Sequence, residues 1–172
     1  MKRRFGSFLL LSASLFLAPA LFAQGTTSQA TATCNFDASK QLRWNTNEWL
    51  LTPRNRCLGT RFLTTRFAPG GKPMTMFVNS PVAIGDKDIP IGAYTLFVIP
   101  SEKQWTLIIS KSTDTSGKYD KHDDLARVPM QYGELPSPED QFSVYFTHSA
   151  PGECGMRLDL ENARAWVTFQ EK

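Results

Sequence analysis

Tyr94-Thr95-Leu96-Phe97-Val98-Ile99, then Pro100-Ser101-Glu102-Lys103-Gln104, then Trp105-Thr106-Leu107-Ile108-Ile109-Ser110 is the stretch on which the fold turns. Successive side chains of a strand alternate between its faces, so Tyr94, Leu96 and Val98 share one face and Phe97 and Ile99 the other. Both faces are largely apolar, which marks a central strand covered on each side. In the second run Trp105, Leu107 and Ile109 alternate with Thr106, Ile108 and Ser110, and the polar segment between the runs reads as a turn. Together they predict a core hairpin.

Outward from this hairpin, apolar residues recur in short runs broken by Gly, Pro, Asp and Ser, and nothing at helical period is long enough for a substantial helix. Upstream, Met74 to Val78 reads as a strand, and Val82 to Ile84 and Ile89 to Ile91 flank Gly85-Asp86-Lys87-Asp88, a hairpin turn by composition. Downstream, Ser112 to Asp124 reads as a long polar loop with room for one helical turn. Leu125 to Tyr132 reads as a strand that Pro129 assigns to an edge or a bulge. Leu135-Pro136-Ser137-Pro138 reads as a rigid connector. Three further strands follow, carried by Phe142, Val144 and Phe146, by Met156, Leu158 and Leu160, and by Trp166 to Phe169. Turns at intervals of roughly 8 to 12 residues without a βαβ rhythm predict an all-β fold, an antiparallel β-sandwich or flattened barrel.

The chain has 172 residues, which fits one domain of ordinary size, and its 41% apolar and 20% charged content excludes a disordered tail, a collagen-like repeat or a polytopic membrane protein. Residues 1–23 read as a signal peptide: Lys2, Arg3 and Arg4 form a positive start, Phe8 to Phe22 is apolar, and Ala20 to Ala23 offers small residues for cleavage. The apolar run is shorter than the roughly 20 residues a spanning helix needs, and Pro19 interrupts its end. The expectation is therefore a disordered lead-in over 24–33 and a single β domain over 34–172. That domain would be exported to the periplasm or the exterior, with no transmembrane anchor after cleavage. Of 19 basic side chains, three lie in the leader, and the remaining 16 balance 16 acidic ones. A formally neutral chain lacks the footprint of a nucleic-acid binder.

Ile84-Gly85-Asp86-Lys87-Asp88-Ile89-Pro90-Ile91-Gly92-Ala93-Tyr94-Thr95-Leu96-Phe97-Val98-Ile99-Pro100, with Trp105, Ile108 and Lys111, resembles the centre of a bacterial exported family, domain of unknown function 2911. Asp124-Leu125-Ala126-Arg127-Val128, Leu135-Pro136-Ser137-Pro138 with Gln141-Phe142, and Cys154 resemble its second half, so the likeness spans roughly residue 69 to the end. Cys34-Asn35-Phe36-Asp37 resembles the mature start of one branch. The resemblance implies an all-β exported domain and no particular activity.

Residues 43–67 depart from that pattern. They hold Arg43, Arg54, Arg56, Arg61 and Arg66 against the single acid Glu48. Where the family carries Val-Pro-Tyr-Gly-Lys-Val-Trp, this frame has nothing similar. Read two bases later, codons for Arg61 to Arg66 can encode Ile-Pro-Tyr-Asp-Lys-Val. The segment is read as translated out of frame, with a divergent basic loop as the alternative. Cysteine parity points the same way. Of Cys34, Cys57 and Cys154, only Cys57 lies in the odd segment, and setting it aside leaves an even pair for an exported protein. A structural disulfide between Cys34 and Cys154 is the expectation; two unpaired buried thiols are the alternative.

Chemistry is sparsely signalled. His122, within Asp120-Lys121-His122-Asp123-Asp124, and His148, beside Ser149, Pro151 and Gly152, are the two histidines. The acidic run lacks the glycine-centred spacing of a calcium loop, and no His-x-x-x-His pair is present, so it reads as a solvated loop and no metal site is assigned. There is no Gly-x-Ser-x-Gly elbow, and Ser112 stands where a phosphate-cradling loop ending in Gly117-Lys118 needs glycine. Glu134, Glu139 and Asp140 are the acids that could pair for glycoside hydrolysis, although acids near prolines are ordinarily surface solubilisers. Trp105, Trp166, Tyr94 and Tyr145 could form a sugar-stacking platform, but their alternation assigns most of them to the core. No cofactor, catalytic residue or specific binding residue is assigned. The leading expectation is a non-catalytic ligand-, glycan- or protein-binding module of the cell envelope; the alternative is a hydrolase of cell-wall or carbohydrate substrates. A pocket with convergent carboxylates would favour the enzyme, and an exposed aromatic face without them the binder.

Overall fold

A computed structural model of the protein describes residues 29–47, 73–114 and 118–172. The leader expected over 1–23, and residues 48–67 of the odd segment, lie outside the described residues.

The described chain is nearly all β. Its strands are β1 (Gln29–Asn35), β2 (Gln41–Asn47), β3 (Met74–Val78), β4 (Val82–Ile84), β5 (Lys87–Ile89), β6 (Gly92–Ile99), β7 (Thr106–Ser110), β8 (Asp124–Pro129), β9 (Gln131–Ala150) and β10 (Glu153–Glu171), with one 3-10 turn at Lys121–Asp123. One antiparallel sheet runs β1-β2-β3-β6-β7-β8 and the other β5-β4-β10-β9. β1 lies against β9 and β5 against β8. The sandwich is thus drawn together along both edges, in the manner of a flattened barrel.

β6 sits between β3 and β7, and its pattern explains why. Tyr94, Leu96 and Val98 enter the main core with Met76, Leu107 and Ile109. Phe97 and Ile108 are buried on the opposite face, where Tyr119 from the long loop meets the Phe97 ring edge-on at 5.1 Å. That loop is pinned to the sheet: the Thr95 hydroxyl donates to the Ser112 carbonyl at 2.5 Å and the Lys111 amide to the Asp123 carbonyl at 2.8 Å. Pro129 falls in β8, an edge strand, where its missing N–H removes no ladder bond from a further neighbour.

Three expectations are corrected. Residues 29–33, assigned to a disordered lead-in, form most of β1, because the Ala/Thr alternation pairs in full register with β2, from Gln29 opposite Asn47 to Asn35 opposite Gln41. β5 begins at Lys87 rather than Ile89, because Gly85 takes φ +60° and closes a two-residue turn with Asp86. The segment 135–138 is not a connector between separate strands but a corner within β9. Glu134 faces Ala163 and Glu139 faces Glu161, so Leu135 to Pro138 bulge outward opposite Asn162. On β10 the same corner places Glu161 at φ 50°, the left-handed region few non-glycine residues occupy. The long hairpin therefore bends, and the Glu171 amide returns to donate to the Gly152 carbonyl at 2.8 Å.

Two features tie the ends of the chain to this frame. Cys34 of β1 and Cys154 of β10 are joined by a disulfide with Cα atoms 6.0 Å apart and a sequence separation of 120. Lys40, in the β1–β2 turn, pairs with Glu171 at the end of β10. Trp44 belongs to the odd segment yet is fully buried. It stacks on Phe146 at 4.3 Å and meets Phe169 edge-on at 5.7 Å.

Candidate functional site

The bend in the β9–β10 hairpin opens a cleft of about 470 Å³. Its floor is Trp105, Tyr132, Leu135 and Ala163, and its polar rim is Ser101, Glu102, Glu134, Glu161 and Asn162. These residues come from three distant parts of the sequence. The β6–β7 turn supplies Ser101 and Glu102, the run into the corner supplies Tyr132 and Glu134, and the bulge of β10 supplies Glu161 and Asn162. The turn is held by Ser101, whose side-chain oxygen accepts the Gln104 amide at 3.1 Å. The two prolines Pro136 and Pro138 line the remaining wall, and with φ fixed they hold the bulge out from the strand.

Burial grades this site. Trp105 is buried, Tyr132 and Glu161 are half-buried, and Glu102, Glu134 and Asn162 are exposed. The carboxylates thus surround an apolar floor as hydrogen-bond acceptors facing water. Among the described residues, no three His, Cys, Asp or Glu side chains come together as a cation site, so these glutamates are spread around the rim rather than closed into a cage.

The acids singled out from sequence part company here. Glu134 lines the cleft; Glu139 lies across the ladder from Glu161 but not in the lining; the Asp140 side chain is outside the described residues. Sequence reading missed Glu102, Glu161, Asn162 and Tyr132. The left-handed turn at Glu161 and the unequal bulge opposite Leu135 to Pro138 carry no local motif that would have flagged them.

The Asp120–Asp124 run is divided among structural tasks. The Asp120 carboxylate accepts the His122 amide at 2.9 Å and caps the 3-10 turn. Asp124 accepts the Tyr119 hydroxyl at 2.7 Å and the Arg127 Nε at 2.7 Å. Burial, and then the hydrogen bond to Asp124, push the Tyr119 hydroxyl above its usual range. His122 is exposed. His148 is exposed too, but lies within β9 opposite Cys154 rather than at the hairpin tip. Of the aromatics, Trp105 and Tyr94 are buried, while Trp166 is half-buried and Tyr145 is 39% exposed, both on the outer side of the hairpin.

A family model described as a protein of unknown function, DUF2911, matches residues 69–169. The chain belongs to this family. Every residue lining the corner cleft falls within the DUF2911 span, whereas β1, β2 and Cys34 precede it. The DUF2911 portion thus supplies the whole cleft, and the N-terminal strands are fastened to it through Cys154. No curated protein and no solved structure matches the chain.

Proposed function

We propose that this protein is a non-catalytic binding module of the cell envelope whose corner cleft holds a saccharide. One observation carries the reading: the cleft sets an apolar floor containing Tyr132 and Trp105 inside a rim of carboxylate and amide acceptors, Glu102, Glu134, Glu161 and Asn162. A sugar ring offers the complement, an apolar C–H face and a circumference of hydroxyl donors. Export agrees with the leader-like residues 1–23 and with a disulfide between the two ends of the domain. Among the described residues no helix is long and apolar enough to cross a membrane.

A second reading, hydrolysis of a carbohydrate, is favoured by the same three glutamates, since glycosidases set two carboxyls across the scissile bond. Binding is preferred because Glu102 and Glu134 are exposed and the cleft stands open to water, whereas such chemistry gains from a sheltered site. Calorimetric titration of the full chain with cellotriose and chitotriose, with reducing-end release followed in parallel, separates the readings. The proposal expects binding of at least one sugar, weakened by Tyr132→Ala and by Glu134→Gln, with no new reducing ends. Reducing ends that vanish in Glu134→Gln would establish the hydrolase. Absence of binding to either sugar would remove the saccharide reading.

A further inference from the structure

The outer side of the β9–β10 hairpin carries a second groove that shares no residue with the corner cleft. It occupies about 430 Å³, and its lining includes Thr147, Ser149, Arg157, Arg164, Trp166 and Thr168. Beneath it Asp159 is wholly buried. Arg164 satisfies that carboxylate in bidentate fashion, Nε to Oδ1 at 2.9 Å and Nη2 to Oδ2 at 2.8 Å. One guanidinium is enough to neutralise one carboxylate.

Arg157 is a second cation on the same carboxylate, and Glu139 lies within electrostatic reach of Arg164. The Arg157 Nε stands 3.3 Å from Asp159 Oδ2, within ion-pair reach, but the N–H is not directed at that oxygen and makes no hydrogen bond although it is buried. The guanidinium carbon stands over the Tyr145 ring, 4.0 Å from its centroid. About a third of each arginine side chain remains accessible, 33% for Arg157 and 32% for Arg164. Two arginines that share one buried carboxylate, each with a third of its side chain open at the edge of a groove, are arranged to take an anion from solvent.

The rest of the lining says what kind. Trp166 supplies an aromatic wall, and its ring reaches over Gly133, where a Cβ would stand 3.4 Å from it. Thr147, Ser149 and Thr168 supply hydroxyls. Gly155 leaves room for one of them: a Cβ there would fall 2.4 Å from the Thr147 hydroxyl oxygen and turn it aside. The volume lies in the range of roughly 300–1,000 Å³ usual for small-molecule pockets. We propose that this groove binds the carboxylate of an acidic, uronate-type saccharide, with Arg157 and Arg164 on the carboxylate and Trp166 against the sugar ring. The inference does not rest on the corner cleft, and either site can fail without the other.

The test is calorimetric titration of the full chain with digalacturonate, the neutral digalactose and inorganic sulfate. Digalacturonate is expected to bind, to weaken with added salt, and to weaken about tenfold or more in Arg157→Gln, the loss usual for one charge-assisted contact. Gly155→Ala leaves both guanidiniums in place and is expected to weaken it as well, by displacing Thr147; it decides the matter if Arg157→Gln fails to fold. Digalactose bound as tightly as digalacturonate, sulfate bound as tightly as digalacturonate, or digalacturonate binding unchanged in the folded variants would each overturn the proposal.

Discussion

Replacing Cys34 and Cys154 together by alanine should remove the largest single constraint on the unfolded chain. The bridge spans a sequence separation of 120. The chain-entropy relation, about 2.1 plus 1.5R ln n, then gives roughly 16 cal/mol/K, or about 5 kcal/mol at 25 °C. Both sulfurs are buried, so the loss of their packing acts in the same direction. For a chain of this size each kcal/mol moves the thermal midpoint by about 2–4 °C, which predicts a fall of roughly 10–20 °C. The effect should also be local. β1 is the outer strand of its sheet and is fastened across to β10 by this bond, so β1 and β2 should lose amide protection before the β6–β7 hairpin does. The assay is urea and thermal unfolding of the oxidised protein and the double variant, with hydrogen exchange on both. A difference below about 1 kcal/mol would refute the loop-closure reasoning, because so small an effect would mean that the unfolded ensemble already keeps the two ends together.

Three other outcomes are expected. Glu161→Gly removes a side chain from a left-handed position while freeing the unfolded backbone, so stability should stay within about 1 kcal/mol by chemical denaturation; saccharide binding at the corner cleft should be lost. Asp37 accepts the Ser39 and Lys40 amides at 2.7 and 2.8 Å, and these bonds hold its carboxyl below the usual aspartate value of 3.8; a carboxylate with a depressed folded pKa stabilises above its unfolded value, and that stabilisation fades as pH falls below 3.8. Unfolding followed by acid titration should therefore show a shallower low-pH decline in Asp37→Asn. A non-reduced peptide map of the protein from its own host should return peptides of Ile-Pro-Tyr-Asp-Lys-Val character in place of Arg61 to Arg66; recovery of the written sequence would make residues 43–67 a true insertion.

Strand placement was legible wherever one period dominated. β3 and β4 keep the bounds their alternation implies, and the doubly apolar β6 lies in the middle of its sheet because the Tyr119 loop covers the face that carries Phe97. Legibility failed where local chemistry is overruled by distant pairing. Gln29 to Thr33 has the composition of a tail, but its backbone groups find partners in β2. Leu135 to Pro138 has the composition of a linker, but it is a bulge that long-range register imposes. The cleft was only partly visible for the same reason. Glu134 drew notice as one of three acids that could pair for glycoside hydrolysis, while Glu102 and Glu161 are brought to it by the turn and the bend, which no spacing encodes. The Asp159, Arg164 and Arg157 cluster was missed because the bulge between residues 159 and 163 breaks the alternation that would have set these side chains on one face.

The most direct test of the central claim is a backbone-amide NMR titration of the full chain with cellotriose and chitotriose. The account predicts shifts concentrated at Glu102, Tyr132, Glu134, Glu161 and Asn162, with the sugar recovered intact at the end. Shifts confined to other surfaces, or a sugar recovered as shorter products, would contradict it.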